Sequence, residues 1–294
     1  MNQIAKTTEP KVAIVTGASK GIGRTIACRL AEAGWDVGVN YHSDMAGAEA
    51  TAEKVRQFGQ QAWVLGADVG DSGQVAAMFA KIADEAGPLF LLVNNSGRQT
   101  WAPLLELQES DWDQTISTNL KGTFLCTQQA ARVMRESGGV IVNIGSGSNS
   151  RPFPNLIDYT ASKGGIEMLT KVSAVELGQY SIRVNCVAPG AIEVERTQLE
   201  APDYARTWAP LTPLGRVGQT GDVAEVVAFL ASDGAQFVTG QTIYVDGGLM
   251  TKPQWPYDDQ GDTGAEQETV SCLLYTSDAA DEGLGVDLGG RRII

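Results

Sequence analysis

A tyrosine and a lysine spaced for one helix face are the residues of this chain best suited to acid–base chemistry. Tyr159 and Lys163 lie four positions apart in Tyr-Thr-Ala-Ser-Lys, a spacing that places both side chains on the same side of a helix. A free phenol has a pKa of about 10, so it needs assistance to exchange a proton near neutrality. A neighbouring ammonium stabilises the phenolate and lowers that pKa. The alternative is a pair of surface residues one helical turn apart.

Two further polar residues add hydrogen-bonding groups to this pair. Ser146 follows an apolar run of strand length, so its hydroxyl is predicted at a strand end, where it can bond a substrate oxygen. The competing interpretation, a nucleophile, is weak because no histidine is close in sequence and no Gly-x-Ser-x-Gly pattern surrounds it. Ser148 is a weaker candidate for the same role. Asn119, in a long predicted helix, either holds a water that links Lys163 to solvent or is a buried, internally bonded asparagine.

A glycine-rich segment near the N-terminus predicts a phosphate site. Gly17, Gly21 and Gly23 fall between a β-branched run and a segment of helical period. Glycines in that position let the backbone approach a pyrophosphate, and the N–H groups of the helix point at it. The alternative is a tight strand-to-helix turn without a ligand. The predicted cofactor contacts of this turn are Gly17, Ser19, Lys20, Gly21, Ile22 and Gly23.

The end of the second predicted strand bears on the choice of dinucleotide. Folds that prefer NAD usually place an acid there to bond the ribose hydroxyls, whereas this chain has Asn40, Tyr41, His42 and Ser43. Because no carboxylate repels a 2′-phosphate and Lys20 lies in the phosphate turn, NADP is the predicted cofactor, with NAD as the alternative. Tyr41 and His42 are predicted contacts. His42, the one histidine of the chain, is equally compatible with an exposed loop position.

Two more strand ends carry predicted cofactor contacts. Asp68 and Val69 end the third strand, where a carboxylate accepts from an adenine amine or lies solvated in a turn. The segment Asn94–Gly97 ends the fourth strand, where a tight polar turn can pass beneath the nicotinamide ribose. In isolation the same four residues would predict only a turn.

Apolar runs of strand length alternate along the chain with segments of helical period. This alternation is typical of a parallel sheet with helices on both faces. The predicted fold class is α/β, a doubly wound (Rossmann) seven-stranded parallel sheet in a single domain. The predicted strands are Val12–Val15, Asp36–Asn40, Ala62–Gly66, Leu89–Asn94, Val140–Ile144, Arg183–Val187 and Thr242–Val245. The predicted helices are Ile22–Ala33, Met45–Phe58, Ser72–Ala86, Asp111–Glu136, Asp158–Leu177 and Asp222–Leu230.

Two long segments rich in glycine and proline interrupt this order where strands end. They cover residues 145–155 and 189–216. In open α/β sheets ligands bind at the carboxyl ends of the strands, so long loops there are predicted to bind ligands. The second segment is long enough to act as a substrate lid.

Composition excludes several classes of function. The 294 residues carry a net charge of -13, which disfavours binding to nucleic acid or to an anionic membrane. Apolar runs are shorter than the roughly 20 residues that span a bilayer, and the first ten residues do not resemble a secretion signal. A cytoplasmic location is therefore expected. Cys28, Cys126 and Cys186 fall in predicted helices and a strand without metal-ligand spacing, so reduced core thiols and no metal site are expected.

The C-terminal segment differs in composition from the rest. From Asp258 onward it loses periodicity and becomes rich in Asp, Glu and Gly, which predicts a disordered acidic tail after a domain of residues 1–257. Residues 272–294 resemble the translation of a sequencing-library adapter. We expect them to be an assembly artefact and exclude them from the fold. An ordinary acidic tail is the alternative.

Together, these motifs resemble those of the short-chain dehydrogenase/reductase family over about Lys11 to Gly248. The resemblance implies that Tyr159 donates or accepts the proton and that Lys163 binds the nicotinamide ribose and lowers the tyrosine pKa. It implies that Ser146 orients the substrate and that Asn119 supports a proton relay. Members of the family are usually homotetramers. The matching segments are Thr16–Gly23, Asn94–Gly97, Asn119, Ser146, Tyr159 with Lys163, and Pro189-Gly190; the cofactor contacts implied there are Asn95, Gly97, Tyr159, Lys163, Pro189 and Gly190.

Three departures from the family pattern concern the site. Ser96 replaces an alanine in the turn after the fourth strand. Val194 stands where many members have a threonine that bonds the cofactor carboxamide, although the backbone of Ile192 can still serve. Near the expected substrate entrance, residues with bulky or charged side chains either shape specificity or are simply exposed; these are Arg98, Trp101, Arg151 and Phe153.

The expected function is hydride transfer between NADP(H) or NAD(H) and a secondary alcohol or carbonyl compound. Several segments are similar to the glucose 1-dehydrogenase branch, which makes a sugar such as glucose one candidate substrate. The alternative in the same class is a 3-oxoacyl thioester or general ketone reductase. A thioester carrier would favour a basic patch near the entrance, for which Arg98 and Arg151 give little support. The alternative in another class is a cofactor-binding sensor without catalysis. The segments with this similarity are Val39–Tyr41, Tyr159–Gly165, Pro189–Ile192, Phe237–Gly240 and Asp246–Thr251.

Overall fold

The computed structural model describes residues 11–251 of the chain. The predicted acidic tail and its adapter-like segment lie outside the described residues. The strands are β1 Lys11–Val15, β2 Trp35–Tyr41, β3 Ala62–Gly66, β4 Leu89–Asn94, β5 Gly139–Ile144, β6 Ile182–Pro189, β7 Ile192–Glu193, β8 Gly218–Gln219 and β9 Thr242–Val245. The α-helices are α1 Gly21–Glu32, α2 Met45–Gln57, α3 Ser72–Ala86, α4 Glu109–Ile116, α5 Gly122–Met134, α6 Ile157–Leu177, α7 Glu195–Glu200, α8 Tyr204–Trp208 and α9 Thr220–Ala231.

Within this part of the chain, seven strands form one sheet in the order β3-β2-β1-β4-β5-β6-β9. All of its neighbouring strands are parallel, which confirms the predicted doubly wound α/β fold. The strand order reverses between β1 and β4. A crevice for a ligand forms at such a reversal, outside the carboxyl ends of the strands.

Side-chain alternation in the strands divides the core into two layers. In β1, Ala13 and Val15 pack on the face covered by α1, α2 and α9, while Val12 and Ile14 pack on the face covered by α3, α5 and α6. Because both faces of the sheet are covered, its central strands are apolar at consecutive positions rather than at alternate ones. The sheet is therefore packed between two helical layers, and the residues at the carboxyl ends of its strands are positioned by this packing.

The long predicted helix Asp111–Glu136 is observed as an uninterrupted helical run from Glu109 to Met134 that contains one irregular turn. It is formed by α4 and α5 with a π-helical segment at Ser117–Lys121 between them. A π-helix accommodates an extra residue in one turn, and such segments often occur at functional sites. No glycine or proline interrupts residues 111–121, so the sequence carried no local signal for it.

The predicted lid also contains regular structure that we did not predict. The short strands β7 and β8 pair in parallel at its base, and the helices α7 and α8 lie between them in sequence. A small apolar cluster of Ala191, Val217 and Leu249, with Tyr204 and Trp208 packed against it, supports this segment. The lid is thus a folded element with its own core.

Three cysteines in the described part of the chain form no disulfide; Cys126 and Cys186 are buried and Cys28 is half-buried. Burial raises the pKa of Cys126 to about 12 and that of Cys186 to about 11, so both stay protonated and inert near neutrality. Among residues 11–251, no helix is both long enough and apolar enough to cross a bilayer.

Candidate active site

The predicted site residues from β1, β4, β5 and β6 meet at the carboxyl edge of the sheet. These four strands are consecutive neighbours in the sheet, and the strand order reverses between β1 and β4. Gly17 follows β1, Asn95 follows β4, Ser146 follows β5 and Gly190 follows β6. The crevice at the reversal therefore lies between the predicted phosphate turn and the predicted catalytic residues.

The phosphate turn has the backbone that its glycines were predicted to allow. Gly17 and Gly21 have φ of 60° and 56°, a left-handed conformation that favours glycine. A Cβ on Gly23 would lie 2.4 Å from the Asn95 amide nitrogen and from the Gly17 carbonyl oxygen, so no larger residue fits there. Asn95 holds the turn, because its Nδ2 donates to the carbonyls of Thr16 and Gly17 at 2.9 and 3.0 Å.

The first turn of α1 fits an anionic ligand. Its N-cap residue, Lys20, is extended and makes no side-chain capping bond, so the first N–H groups of the helix lack the usual side-chain acceptor. A Cβ on Gly21 would be in ordinary contact with the Glu195 carboxylate at 3.7 Å and with Val194 at 3.8 Å, so the start of α7 borders this turn. A pyrophosphate supplies the oxygens that such a helix start binds, and the residues present therefore fit a dinucleotide.

The end of β2 is tied to its neighbours by a buried asparagine. Asn40 is buried; its Nδ2 donates to the carbonyls of Leu65 and Ala67 at 3.0 and 3.1 Å, and its Oδ1 accepts from the Gly17 N–H at 3.2 Å. Asn40 thus joins β2, β3 and the phosphate turn. His42 is exposed, whereas Tyr41 is half-buried.

A carboxylate that sequence analysis did not consider lies next to this strand end. Asp44 caps α2 by accepting from the Gly47 N–H at 2.9 Å. That bond, with smaller contributions from Ser19, Lys20 and Arg24, lowers the pKa of Asp44. The carboxylate is therefore stabilised by a helix start and by two nearby cations, one of which is Lys20 of the phosphate turn.

The third strand end is a compact turn. Asp68 Oδ1 accepts from the Gly70 N–H at 2.9 Å, and the buried Val69 packs so closely on α5 that a Cβ on Gly122 would lie 2.7 Å from its Cγ2. The predicted contact of Asp68 with an adenine amine stays a prediction.

Tyr159 and Lys163 share a face of α6, as their spacing predicted. The Lys163 ammonium is only 3% exposed and lies 5.5 Å from the centroid of the Tyr159 ring. It donates to the carbonyl oxygen of Ile144, the last residue of β5, at 2.7 Å. This bond anchors the ammonium at the end of β5, two residues before Ser146. Gly97 is also adjacent, because a Cβ there would lie 3.8 Å from the ammonium nitrogen.

Ser146 lies at the same strand end with its hydroxyl oriented by the backbone. It caps the short 3-10 helix Gly147–Asn149, and its Oγ accepts from the Ser148 N–H at 3.2 Å. A hydroxyl that accepts one bond still has its own hydrogen to donate. Ser146 can therefore donate to a substrate oxygen, whereas Ser148 is buried, 2% exposed.

Asn119 lies in the π-helical segment, where both of its amide hydrogens are used by the protein. Nδ2 donates to the Arg98 carbonyl and to Ser162 Oγ, both at 2.9 Å, and Oδ1 accepts from the Arg98 N–H at 2.8 Å. Ser162 in turn donates to the Tyr159 carbonyl at 2.7 Å. The side chain of Asn119 thus positions the first turns of α6. Ser162 was missed, although it stands in the same Tyr-Thr-Ala-Ser-Lys segment.

The lid is attached to the phosphate turn and to the loop before α6. Glu195 forms an ion pair of 3.3 Å with Arg24 of α1. On the opposite side, the Trp208 ring meets the Phe153 ring edge to face at 5.9 Å. Phe153 was predicted near the entrance, whereas Tyr204 and Trp208 were not predicted, because a five-residue helix is too short to show a period in the sequence.

The basic character predicted for the entrance is weakened by pairing. Arg98 donates to Gln114 and lies 3.5 Å from the Asp111 carboxylate. In the amide orientation that satisfies its neighbours, Gln99 accepts from Arg196 at 3.2 Å and from the Trp101 indole at 2.7 Å. Arg98 is therefore held by residues of α4, and Arg196 of the lid is bonded to Gln99 in the loop after β4.

Comparisons with known proteins agree with this arrangement. Residues 17–250 match the family model described as Enoyl-(Acyl carrier protein) reductase. The chain is 42% identical over 240 residues to 3-oxoacyl-(acyl-carrier-protein) reductase FabG of Staphylococcus aureus, covering 81% of this chain and 98% of that one. It resembles the crystal structure of acetoin dehydrogenase from Enterobacter cloacae, with a TM-score of 0.78, 40% identity and coverage of 84% and 99%. It also resembles a gluconate 5-dehydrogenase from Burkholderia cenocepacia in complex with NADP and tartrate, with a TM-score of 0.78, 35% identity and coverage of 83% and 96%.

Proposed function

Because the chain belongs to the short-chain dehydrogenase/reductase family, we propose that Tyr159, Lys163 and Ser146 carry its oxidoreductase chemistry. The reaction is hydride transfer between NADP(H), with NAD(H) as the alternative, and a secondary alcohol or carbonyl carbon. The observation that carries this assignment is the bond from the Lys163 ammonium to the Ile144 carbonyl at 2.7 Å. It holds the cation and the phenol of Tyr159 at the strand end that also presents Ser146.

In the direction of reduction, the substrate oxygen lies between two hydroxyl groups. Ser146 donates to it and orients the carbonyl. Tyr159 Oη gives its proton to the oxygen while the carbonyl carbon accepts a hydride, so a secondary alcohol forms and a phenolate remains. The bound nicotinamide supplies or removes the hydride. The reverse sequence oxidises the alcohol.

Lys163 and Asn119 have different roles in this scheme. The Lys163 ammonium stabilises the negative charge that develops on the phenol oxygen, an effect that is large in a site shielded from water. The Asn119 amide fixes Ser162, and thereby the backbone of Tyr159, through bonds of 2.9 and 2.7 Å. Its contribution to a proton relay, implied by the family resemblance, is part of the proposal. The cytoplasm suits this enzyme, because buried free thiols such as Cys126 stay reduced there.

The names of similar proteins bear on the substrate class. Acetoin is a hydroxyketone and gluconate is a polyhydroxy acid, so both carry hydroxyl groups next to the reacting carbon, as does glucose. A 3-oxoacyl thioester on a carrier protein is the alternative, but the pairing of Arg98 with Asp111 at 3.5 Å leaves little basis for docking an acidic carrier. A non-catalytic sensor is disfavoured by the complete set of Ser146, Tyr159 and Lys163.

The proposed function is tested by following NADPH absorbance with the purified full-length chain. We expect turnover with hydroxyketones in the reducing direction and with polyols in the oxidising direction, faster than with 3-oxoacyl thioesters. Preference for NADPH over NADH is expected because Lys20 lies at the start of α1 beside the second strand end. A chain that binds NADPH but turns over no carbonyl compound or alcohol would support the sensor instead.

We also propose that the protein is a homotetramer that buries an apolar patch on α5 and α6. Phe124, Met168 and Val172 are 44, 54 and 57% exposed, and together with Leu120 they line one continuous apolar depression. Exposed patches of this kind usually mark protein interfaces. A second copy of the chain is the simplest occupant.

Met168→Glu is expected to dissociate this assembly. The buried charge would have no partner at the interface, and desolvating it costs several kcal/mol. Light scattering after size exclusion should show a smaller species. The matched control is Met45→Glu, because Met45 is 56% exposed compared with 54% for Met168 but lies on α2. An unchanged mass for Met168→Glu would exclude this patch as the interface.

A further inference from the structure

A second phenol lies in the lid close to the proposed catalytic centre. Tyr204 is the first residue of α8 and packs against the cluster of Ala191, Val217 and Leu249 at the base of the lid. The Ile192 backbone amide and Tyr159 both influence the pKa of its hydroxyl, so both lie near it. Ile192 follows β6, whose Val187 pairs with Ile144 of β5, and Ile144 is the residue to which Lys163 is anchored.

Contacts between aromatic rings join Tyr204 to the loop before α6. The Tyr204 and Trp208 rings lie 6.2 Å apart, and Trp208 meets Phe153 at 5.9 Å. Phe153 belongs to the loop between Ser146 and Tyr159. These three rings, which we call the aromatic roof, therefore link the lid to the loop that carries the proposed catalytic residues. Contacts of this kind fix ring positions, since aromatic pairs contribute beyond their buried area.

The Tyr204 hydroxyl is suited to donate a hydrogen bond rather than a proton. Burial raises the pKa of Tyr204 to about 12; Arg196 and the Ile192 amide lower it by smaller amounts, while the nearby Tyr159 raises it. The phenol therefore stays protonated throughout the physiological range. A protonated phenol has one hydrogen to donate and an oxygen that can accept, so Tyr204 can donate to a neighbouring acceptor.

We propose that Tyr204 donates a hydrogen bond to a second oxygen of the substrate, next to the reacting carbonyl, and so selects hydroxyketones over simple ketones. This inference rests on the proposed function, in which Ser146 and Tyr159 bind the reacting oxygen. The two phenols then have distinct tasks. Tyr159 exchanges a proton with the reacting oxygen, and Tyr204 recognises its neighbour from the lid. A substrate without the second oxygen leaves the Tyr204 hydroxyl unpaired when the lid is closed.

The test compares two substrates in the same protein preparation. The probes are 3-hydroxybutan-2-one and butan-2-one, which differ only in the second oxygen, and the quantity is the ratio of their kcat/KM values with NADPH. Tyr204→Phe should lower this ratio about 2- to 13-fold, because one hydrogen bond between neutral groups contributes about 0.5–1.5 kcal/mol. The ratio does not depend on the fraction of folded enzyme. The control is Tyr180→Phe, since Tyr180 lies against Arg135 at 5.1 Å, away from the lid.

An unchanged ratio in Tyr204→Phe would overturn the proposal, including the case in which both substrates slow equally because the lid packs less well. A binding measurement separates this failure from failure of the proposed function. In a Tyr159→Phe background, calorimetry with NADPH present should show weaker binding of 3-hydroxybutan-2-one when Tyr204 is also phenylalanine. If the wild type turned over neither probe, the proposed function would fail. Equal binding of 3-hydroxybutan-2-one to the single and double variants would overturn the role of Tyr204.

Discussion

Tyr159→Phe is expected to lower kcat by about 10²–10⁴, the range that a positioned general acid or base contributes. The substitution removes one oxygen and leaves the ring, so the contact of that ring with the Lys163 ammonium at 5.5 Å can persist. The substrate oxygen would then have to take its proton from water. Single-turnover measurements with NADPH and a hydroxyketone would report this loss in the chemical step.

Cofactor binding should survive the same substitution. The phosphate turn is formed by Gly17, Gly21 and Asn95, none of which contacts the Tyr159 hydroxyl, so the Kd for NADPH measured by fluorescence should stay close to that of the wild type. Tyr180→Phe serves as control for the loss of a phenol elsewhere in the fold. A Tyr159→Phe enzyme that kept wild-type kcat would show that another group transfers the proton.

The sheet could be predicted from sequence because its signals are local. Each central strand is a continuous apolar run, and Gly17 and Gly21 stand where positive φ values of 60° and 56° are required. The same holds for Tyr159 and Lys163, since a helix fixes the relation of residues four apart. These features depend on neighbours in the chain, so one sequence contains them.

The π-helical turn between α4 and α5 is accompanied instead by distant contacts. Asn119 bonds Arg98 from the loop after β4 and Ser162 from α6, and these partners are 21 and 43 residues away. A π-helical turn at Ser117–Lys121 is compatible with those bonds, but nothing in residues 117–121 announces it. The prediction of one long helix was therefore correct, but the π-helical turn inside it was not predicted.

The site beyond the motifs also required the fold. Asn40 was noted only as a residue without charge at the end of β2, and its amide bonds to Leu65 and Ala67 within the protein were not predicted. Tyr204 had no signal, because α8 is a five-residue helix and its position over the site follows from the cluster at Ala191. Substrate contacts in a lid are set by tertiary packing, which explains why specificity was the least predictable property.

Lys163→Met is expected to separate activity from stability. Methionine keeps an unbranched apolar chain and removes the ammonium that is 3% exposed in the wild type. Loss of one electrostatic group aimed at the developing charge commonly lowers kcat by about 10²–10³. We expect kcat to fall in that range and NADPH to bind more weakly, as the family resemblance places the nicotinamide ribose at Lys163.

The free energy of unfolding of Lys163→Met should stay the same or rise, although its activity falls. In the part of the chain that the structure describes, no carboxylate forms an ion pair with Lys163, and its partner is the neutral Ile144 carbonyl. A buried charge held only by neutral groups is costly, because desolvation is incompletely compensated. Replacing it with an apolar side chain of similar length removes that cost, whereas the unpaired carbonyl restores part of it. The free energy of unfolding is therefore expected to equal or exceed that of the wild type.

The control for this prediction lies on the same helix. Lys171 is 46% exposed and pairs with Glu167 at 2.8 Å, so Lys171→Met removes an equal charge from the surface of α6. Surface pairs contribute about 0–1 kcal/mol, and we expect nearly wild-type kcat and stability from this variant. Urea unfolding and NADPH turnover of both variants decide the matter. Clear destabilisation of Lys163→Met with a proportionate loss of activity would assign the lysine a structural role, whereas a folded, inactive protein is what a catalytic ammonium requires.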